Sequence, residues 1–257
     1  MQTKDDKSLI RFENVSKAFG DFVVFKNLNL KIAKGKINFI IGRSGSGKSV
    51  MLKHVLGFLH PDKGDIYIDD INTKTFTNKN WQSIRKRFGI LFQDSALFDS
   101  MSVFDNVAFP IREHTQKTAS QINETVKSKL NLVGLGKHYY KMPSELSGGM
   151  KKRVALARAI ALDPELVLFD EPSSGLDPIV SSVVDKLILD IKAETKSTFL
   201  VISHDMKATL NIADKVAMLY DGQIVFDGSK EALSKSDNPL VKQFVNGQLD
   251  GPFNIFY

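Results

Sequence analysis

Apolar positions change their spacing along this chain of 257 residues, and each change marks an element. Within residues 9–36 the runs Phe22-Val23-Val24-Phe25 and Leu28-Asn29-Leu30-Lys31-Ile32 are short and alternating. A period of two puts one set of side chains on one face, so antiparallel strands are expected. Residues 37–41 are mostly apolar and predict a buried strand, followed by a helix over residues 50–59. Residues 63–70 alternate again after a turn, and Ile90-Leu91-Phe92 is a short apolar strand ending at Gln93. From about residue 114 to 140, Ile122, Val126, Leu130 and Val133 recur three or four apart, the mark of a helical insertion. Leu166-Val167-Leu168-Phe169 and residues 198–202 are apolar on both faces, as central parallel strands are. Between them Val183, Leu187, Ile188 and Ile191 predict a crossover helix. Residues 216–220 and 223–226 flank Asp221-Gly222, a hairpin signal. These elements predict an α/β fold, with no internal repeat and no low-complexity segment.

Composition narrows the class. The chain is 42% hydrophobic and 25% charged, which is ordinary for a soluble globular protein. It has no run of about 18 apolar residues, so no transmembrane helix is expected. Residues 1–8 are polar and lack the apolar core of a signal peptide. With no cysteine, disulfides and thiolate metal sites are excluded, which suits a reducing compartment. The formal charge of +6 favours phosphates, nucleic acid or an anionic membrane face. The basic residues are scattered, however, and Lys151-Lys152-Arg153 is their main cluster, so most of this charge is expected to be a solvated surface. The tail beyond about residue 238 carries scattered aromatics and is expected to dock on something.

Chemistry enters at Gly42-Arg43-Ser44-Gly45-Ser46-Gly47-Lys48-Ser49, which fits the phosphate-binding pattern G-x-x-x-x-G-K-[ST]. The bland alternative is a glycine-rich turn with a chance lysine. The position between an apolar strand and a helix favours the loop, because backbone N–H groups and the helix N-terminus then face one anion. Lys48 is expected to reach the β- and γ-phosphates of a nucleotide, and Ser49 to place its hydroxyl on Mg²⁺. Asp170 and Glu171 end the strand 166–169. Acidic residues often end strands, but beside a P-loop Asp170 would hold Mg²⁺ through water and Glu171 would act as general base on the attacking water. Gln93 can offer its amide oxygen to Mg²⁺ or to water.

Leu146-Ser147-Gly148-Gly149-Met150 precedes a helical run over residues 151–162. Ser147 is a good N-cap, and Gly148 and Gly149 leave N–H groups uncovered at the positive end of the helix dipole. Taken alone this is a capped helix. Ser174-Gly175-Leu176-Asp177 is expected to form a tight turn. His204 follows the strand 198–202, where a histidine can contact a γ-phosphate.

In this order the pieces resemble the nucleotide-binding subunits of ABC transporters, from about residue 12 to 228. The resemblance covers the P-loop, the Q-loop Gln93, the signature at residues 146–150, the Walker B strand with Glu171, the D-loop through Asp177 and the switch His204. It implies a nucleotide-binding domain over residues 8–240, with a helical subdomain at about 94–162 and a mainly parallel central sheet beside an antiparallel β subdomain. It also implies ATP and Mg²⁺ as ligands, and a head-to-tail dimer in which Ser147, Gly148 and Gly149 of one copy cap ATP on the other. Gln93, Glu171 and His204 become the catalytic set. Phe19 falls where the family usually stacks a Tyr on adenine, and Met150 stands where Gln is commoner.

Phe92-Gln93-Asp94-Ser95-Ala96-Leu97-Phe98, its continuation to Pro110, and Asp250-Gly251-Pro252 before a terminal aromatic are similar to the ATPases of Mla, Mce-type phospholipid transporters of Gram-negative bacteria. This implies a peripheral subunit on the cytoplasmic face of the inner membrane. Its partners would be an integral-membrane permease, an Mce-domain lipid-binding protein and a small regulatory subunit. Leu97, Phe98 and Phe104 would receive the permease or else be core. Residues 241–257 would pack on the partner ATPase. Transport of an amino acid, ion or drug is the alternative, since other subunits choose the cargo. ABC ATPases that act on nucleic acid usually carry long insertions or two ATPase halves; this chain has neither, so no nucleic-acid partner is expected.

Overall fold

The computed structural model describes residues 7–252. The first elements are β1 (Ser8–Phe19), β2 (Phe22–Ala33), β3 (Ile37–Ile41), α1 (Lys48–Val55), β4 (Lys63–Ile68), β5 (Ile71–Asn72), α2 (Asn78–Lys86) and β6 (Phe88–Leu91). Then follow α3 (Val103–His114), α4 (Ala119–Leu132), α5 (Gly148–Ala159), β7 (Leu166–Asp170), α6 (Pro178–Glu194) and β8 (Thr198–Ser203). The last are α7 (Met206–Ile212), β9 (Lys215–Tyr220), β10 (Gln223–Gly228), α8 (Lys230–Ser234) and α9 (Pro239–Asn246). The described residues fall into two compact units, one up to Trp81 and again from Leu200, the other Gln82–Phe199.

In the first unit the alternating runs pair as expected. β1 lies antiparallel to β2, with Ile10 opposite Ile32 and Phe12 opposite Leu30, and antiparallel to β4, with Ile10 opposite Ile68 and Phe12 opposite Ile66. All six of these side chains are buried, so one face of the sheet makes the core. β3, buried at all five positions, runs parallel to β9. β9 turns back into β10 through Asp221 and Gly222 at φ 45° and 75°, the left-handed pair that a type I′ turn requires. Helix α1 stops at Val55, short of the expected residue 59. The N–H groups of Gly57 and Phe58 turn back to the carbonyls of His54 and Lys53 and close the helix in a Schellman arrangement. The first part of the tail forms α9, which buries Val241, while Asn238 Nδ2 donates to the Val225 carbonyl. Residues 253–257, on which the expected partner contact also relied, lie outside the described residues.

The second unit is built on β6 and β7, paired in parallel from Phe88–Leu166 to Leu91–Phe169. Its helices differ from the periodicity reading in several places. The residues from Val103, placed by the resemblance in a helical subdomain but given no helix by periodicity, form α3 from a Ser102 N-cap, with Pro110 inside the helix. The single pattern over 114–140 narrows to α4, set by a capping box in which Thr118 accepts from Gln121 N–H and the Gln121 side chain accepts from Thr118 N–H. Helix α6 buries Val184, Ile188 and Ile191, and leaves Val183 on its exposed side. Val107, Ile111, Val126, Leu130, Val154 and Leu156 from α3, α4 and α5 are buried as the core of this bundle. Asn106 is fully buried there, and Nδ2 donates to the carbonyls of Phe98, Met101 and Ser102 while Oδ1 accepts from Phe98 N–H. Its amide shapes the loop that presents Phe98.

Candidate functional site

The first unit carries the P-loop in the expected order of strand, loop and helix. Gly42, Gly45 and Gly47 have φ of 154°, 78° and 100°, conformations an L side chain resists. A Cβ at Gly42 would lie 2.4 Å from the Leu219 carbonyl oxygen, and one at Gly47 2.6 Å from Val24 Cγ1. The backbone therefore stays bare at the positive end of α1. Lys48 is buried, and Nζ donates to the carbonyls of Gly42 at 2.8 Å and Arg43 at 2.7 Å. Its side chain folds back over the loop and keeps a cation against it. Arg43, Ser44, Gly45 and Ser46 line a cavity of about 320 Å³ together with Leu219, Tyr220 and Asp221. Ser46 Oγ is buried and has no hydrogen-bond partner among the described residues. A buried hydroxyl without a partner costs free energy, and a phosphate oxygen satisfies it. The loop fits a phosphate group on these grounds.

Two further expected residues lie in this unit. Phe19 ends β1 with 48% of its surface exposed, its ring 5.3 Å from Lys17 Nζ. His204 follows β8 and is exposed, and Asp205 beside it caps α7 by accepting from Ala208 N–H.

The second unit carries the others. Asp170 ends β7, and Glu171 follows with φ 50°, a left-handed backbone that non-glycine residues rarely adopt. Gln93 lies just past β6, and Nε2 donates to Ser174 Oγ at 3.4 Å. Asp177 is the N-cap of α6 and accepts from the N–H groups of Ile179 and Val180. Ser147 caps α5 by accepting from Met150 N–H. Among the described residues no group of three or more His, Asp or Glu side chains is arranged to hold a metal. Ser49, Gln93 and Asp170 offer only oxygen donors. That suits Mg²⁺, which keeps its waters and takes few protein ligands beside the phosphates of a substrate.

The signature glycines differ from each other in the space around them. A Cβ on Gly149 would lie 2.6 Å from Val180 Cγ1, whereas one on Gly148 would meet nothing closer than 3.8 Å. Gly149→Ala is therefore expected to lower the melting temperature by several degrees, since about 1–3 kcal/mol is typical for overpacking. Gly148→Ala is expected to leave melting unchanged and to reduce ATPase activity alone. Thermal melting and phosphate release on the two variants check this, and equal melting temperatures would refute it.

Sequence reasoning missed two cations on α5. Lys152, read above only as part of the main basic cluster, is buried, and Nζ donates to the Gln93 carbonyl at 2.5 Å and, more distantly at 3.4 Å, to the Glu171 carbonyl. Burial pushes the pKa of its ammonium down, and Asp94, Glu171 and Asp170 pull it back up. Arg158 donates to the carbonyls of Ser95 at 2.8 Å and Ala96 at 2.7 Å, and burial lowers its pKa too. Ser95 and Ala96 are consecutive left-handed residues at φ 62° and 47°. Helical spacing marks which face a residue occupies, but not that its charge will be spent on main-chain carbonyls.

The same unit holds an apolar cavity of about 400 Å³ lined by Phe92, Phe98, Phe109, Pro110 and Leu162, with Arg85 and His114 also on its wall. Phe98 packs on Phe109 with ring centroids 4.9 Å apart. Of the three apolar residues singled out from the sequence, Phe98 lines this cavity and Leu97 and Phe104 do not.

A family model described as ABC transporter matches residues 25–174. The chain is 45% identical over 252 residues to the intermembrane phospholipid transport system ATP-binding protein MlaF of Haemophilus influenzae, covering 98% of this chain and 96% of that one. It is 44% identical over 246 residues to the probable ribonucleotide transport ATP-binding protein Mkl of Mycobacterium leprae, covering 96% of this chain and 71% of that one. Its structure matches the ATP-binding cassette MJ0796, described as dimeric in a post-hydrolysis state bound to ADP and Pi. That match has a TM-score of 0.77 and 28% identity, over 86% of this chain and 98% of the other.

Proposed function

Because the chain belongs to the ABC transporter family, we propose that it is the ATP-hydrolysing motor of a transporter that moves phospholipid between two membranes. The observation that carries the cargo is the 45% identity, over nearly the whole of both chains, to a protein named for intermembrane phospholipid transport. The bare P-loop, the cation of Lys48 and the orphaned hydroxyl of Ser46 support nucleotide binding. Two copies dimerise head to tail, and Ser147, Gly148 and Gly149 of each reach the nucleotide on the other, with Asp177 nearby. Phe19 stacks on adenine. Ser49, Gln93 and Asp170 hold Mg²⁺, which neutralises phosphate charge when bound. Glu171 takes the proton of the attacking water, and His204 and Gln93 orient the γ-phosphate and that water. Catalysis here is positioning and charge stabilisation.

No helix among the described residues is long and apolar enough to cross a membrane. On this reading an integral-membrane permease in another chain supplies the translocation path. The cavity under Phe98 receives a helix of that permease at the cytoplasmic face of the inner membrane. An Mce-domain lipid-binding protein completes the assembly, together with a small regulatory subunit. The apolar residues from Phe244 onward strengthen the ATPase dimer.

Purification of the chain from its own membranes in mild detergent, with mass spectrometry of the proteins and lipids that accompany it, tests this reading. A compact permease, an Mce-domain protein and bound phospholipid are expected, and Phe98→Glu is expected to lose all three while still binding ATP. A permease accompanied by nucleotide instead of lipid would overturn the cargo. It would favour the kind of transport named for the Mycobacterium leprae relative.

A further inference from the structure

Helix α5 is a rigid element with the signature glycines at its head, and two of its side chains reach into the loops that carry catalytic groups. A buried ammonium is usually answered by a carboxylate. That of Lys152 feels the charges of Asp94, Glu171 and Asp170, but its hydrogen bonds go to main-chain carbonyls, those of Gln93 and Glu171. On the functional reading above, both residues bear side chains that act on the water and the γ-phosphate. Glu171 is held in a left-handed conformation, at φ 50°, that persists only where its surroundings impose it. Its carbonyl also accepts from Ser174 N–H at 3.1 Å, so Lys152 and Ser174 both fix that peptide. On the Gln93 side, Arg158 of the same helix fixes the carbonyls of the left-handed pair Ser95 and Ala96. The loop after β6 is thus held twice from α5, and the segment after β7 once.

We propose that Lys152 is a positioning residue for hydrolysis, which holds Gln93 and Glu171 in register through their main-chain carbonyls and ties both to the helix that begins at the signature glycines. The inference rests on the functional reading above. In the head-to-tail dimer the signature end of α5 answers to nucleotide on the other copy. Its displacement is passed by Lys152 to the catalytic groups of its own copy. The path is one helix and two hydrogen bonds, with no intervening loop.

Lys152→Met keeps an unbranched stem, one atom shorter, and removes the charge and donors. In the full chain its kcat is expected to fall about tenfold to a hundredfold, the usual cost of a misplacement of about an ångström. The KM for ATP and the ATP affinity are expected to stay within about threefold, the split that marks lost transition-state positioning. Lys152→Gln, which retains an N–H donor, is expected to fall between Met and Lys. If the Met variant does not fold, the Gln variant carries the same test. A kcat unchanged in the folded variants would overturn the proposal, as would a kcat that falls only in step with KM or with the fraction folded. A wild-type chain whose hydrolysis Glu171→Gln leaves intact would instead overturn the functional reading on which it rests.

Discussion

Glu171→Gln is expected to lower ATP turnover by about 10²–10⁴-fold, the usual contribution of a general base, while ATP affinity stays within about threefold. The substitution is nearly isosteric. The φ of 50° at this position and the bonds that its carbonyl accepts from Ser174 N–H and Lys152 Nζ depend on the main chain and not on the carboxylate. The local fold therefore survives, and only the proton acceptor is lost. On the proposed reading nucleotide binding is carried by the P-loop, whose bonds this change does not touch. A further consequence follows from linkage. A chain that binds ATP without consuming it gains stability in proportion to the logarithm of ATP concentration. Melting temperature in the presence of Mg²⁺ and ATP is thus expected to rise more for the variant than for the wild type. Phosphate release, ATP titration and thermal melting together check this, and unchanged turnover would remove Glu171 from the role.

Lys48→Ala acts on the earlier step. Nζ is buried and donates to the carbonyls of Gly42 and Arg43, the residues that open the P-loop. Removing it takes away both the bonds that brace the loop and the cation that answers the phosphates. A hydrogen bond to a charged group contributes about 1.5–3 kcal/mol, so ATP affinity is expected to fall about 10- to 100-fold, at about 1.4 kcal/mol per factor of ten. Lys48→Met, which keeps the apolar stem, separates the two contributions: equal loss in both variants assigns the effect to the charge. Direct ATP titration measures it, and wild-type affinity in Lys48→Ala would contradict the placement of phosphate at this loop.

Most of the local architecture was legible because it repeats a short period. The alternation in β1, β2 and β4, the apolar runs of β3, β7 and β8 and the Asp221-Gly222 hairpin lie where the pattern put them. Boundaries were less legible. α1 and α5 each stop a few residues early because backbone N–H groups turn back at Gly57, Phe58 and Ile160. α3 escaped notice because Pro110 sits inside it and Asn106 interrupts its apolar face, yet Asn106 is fully buried and hydrogen-bonded through its whole amide.

By itself the sequence determined the order of the motifs along the chain, and with it the family. A phosphate loop needs glycine, lysine and serine at fixed spacing, and such spacing is a property of neighbours along the chain. The tertiary structure alone decided what those groups rest on. It placed Lys152 and Arg158 of α5 against the carbonyls of Gln93, Ser95, Ala96 and Glu171. It also separated Phe98, on the wall of an apolar cavity, from Leu97 and Phe104, which are not on it. Burial and main-chain hydrogen bonding to a side chain arise between residues far apart in the chain, as from Ser95 to Arg158, 63 positions on. No local period records whether a lysine in a basic triplet will meet water or a carbonyl.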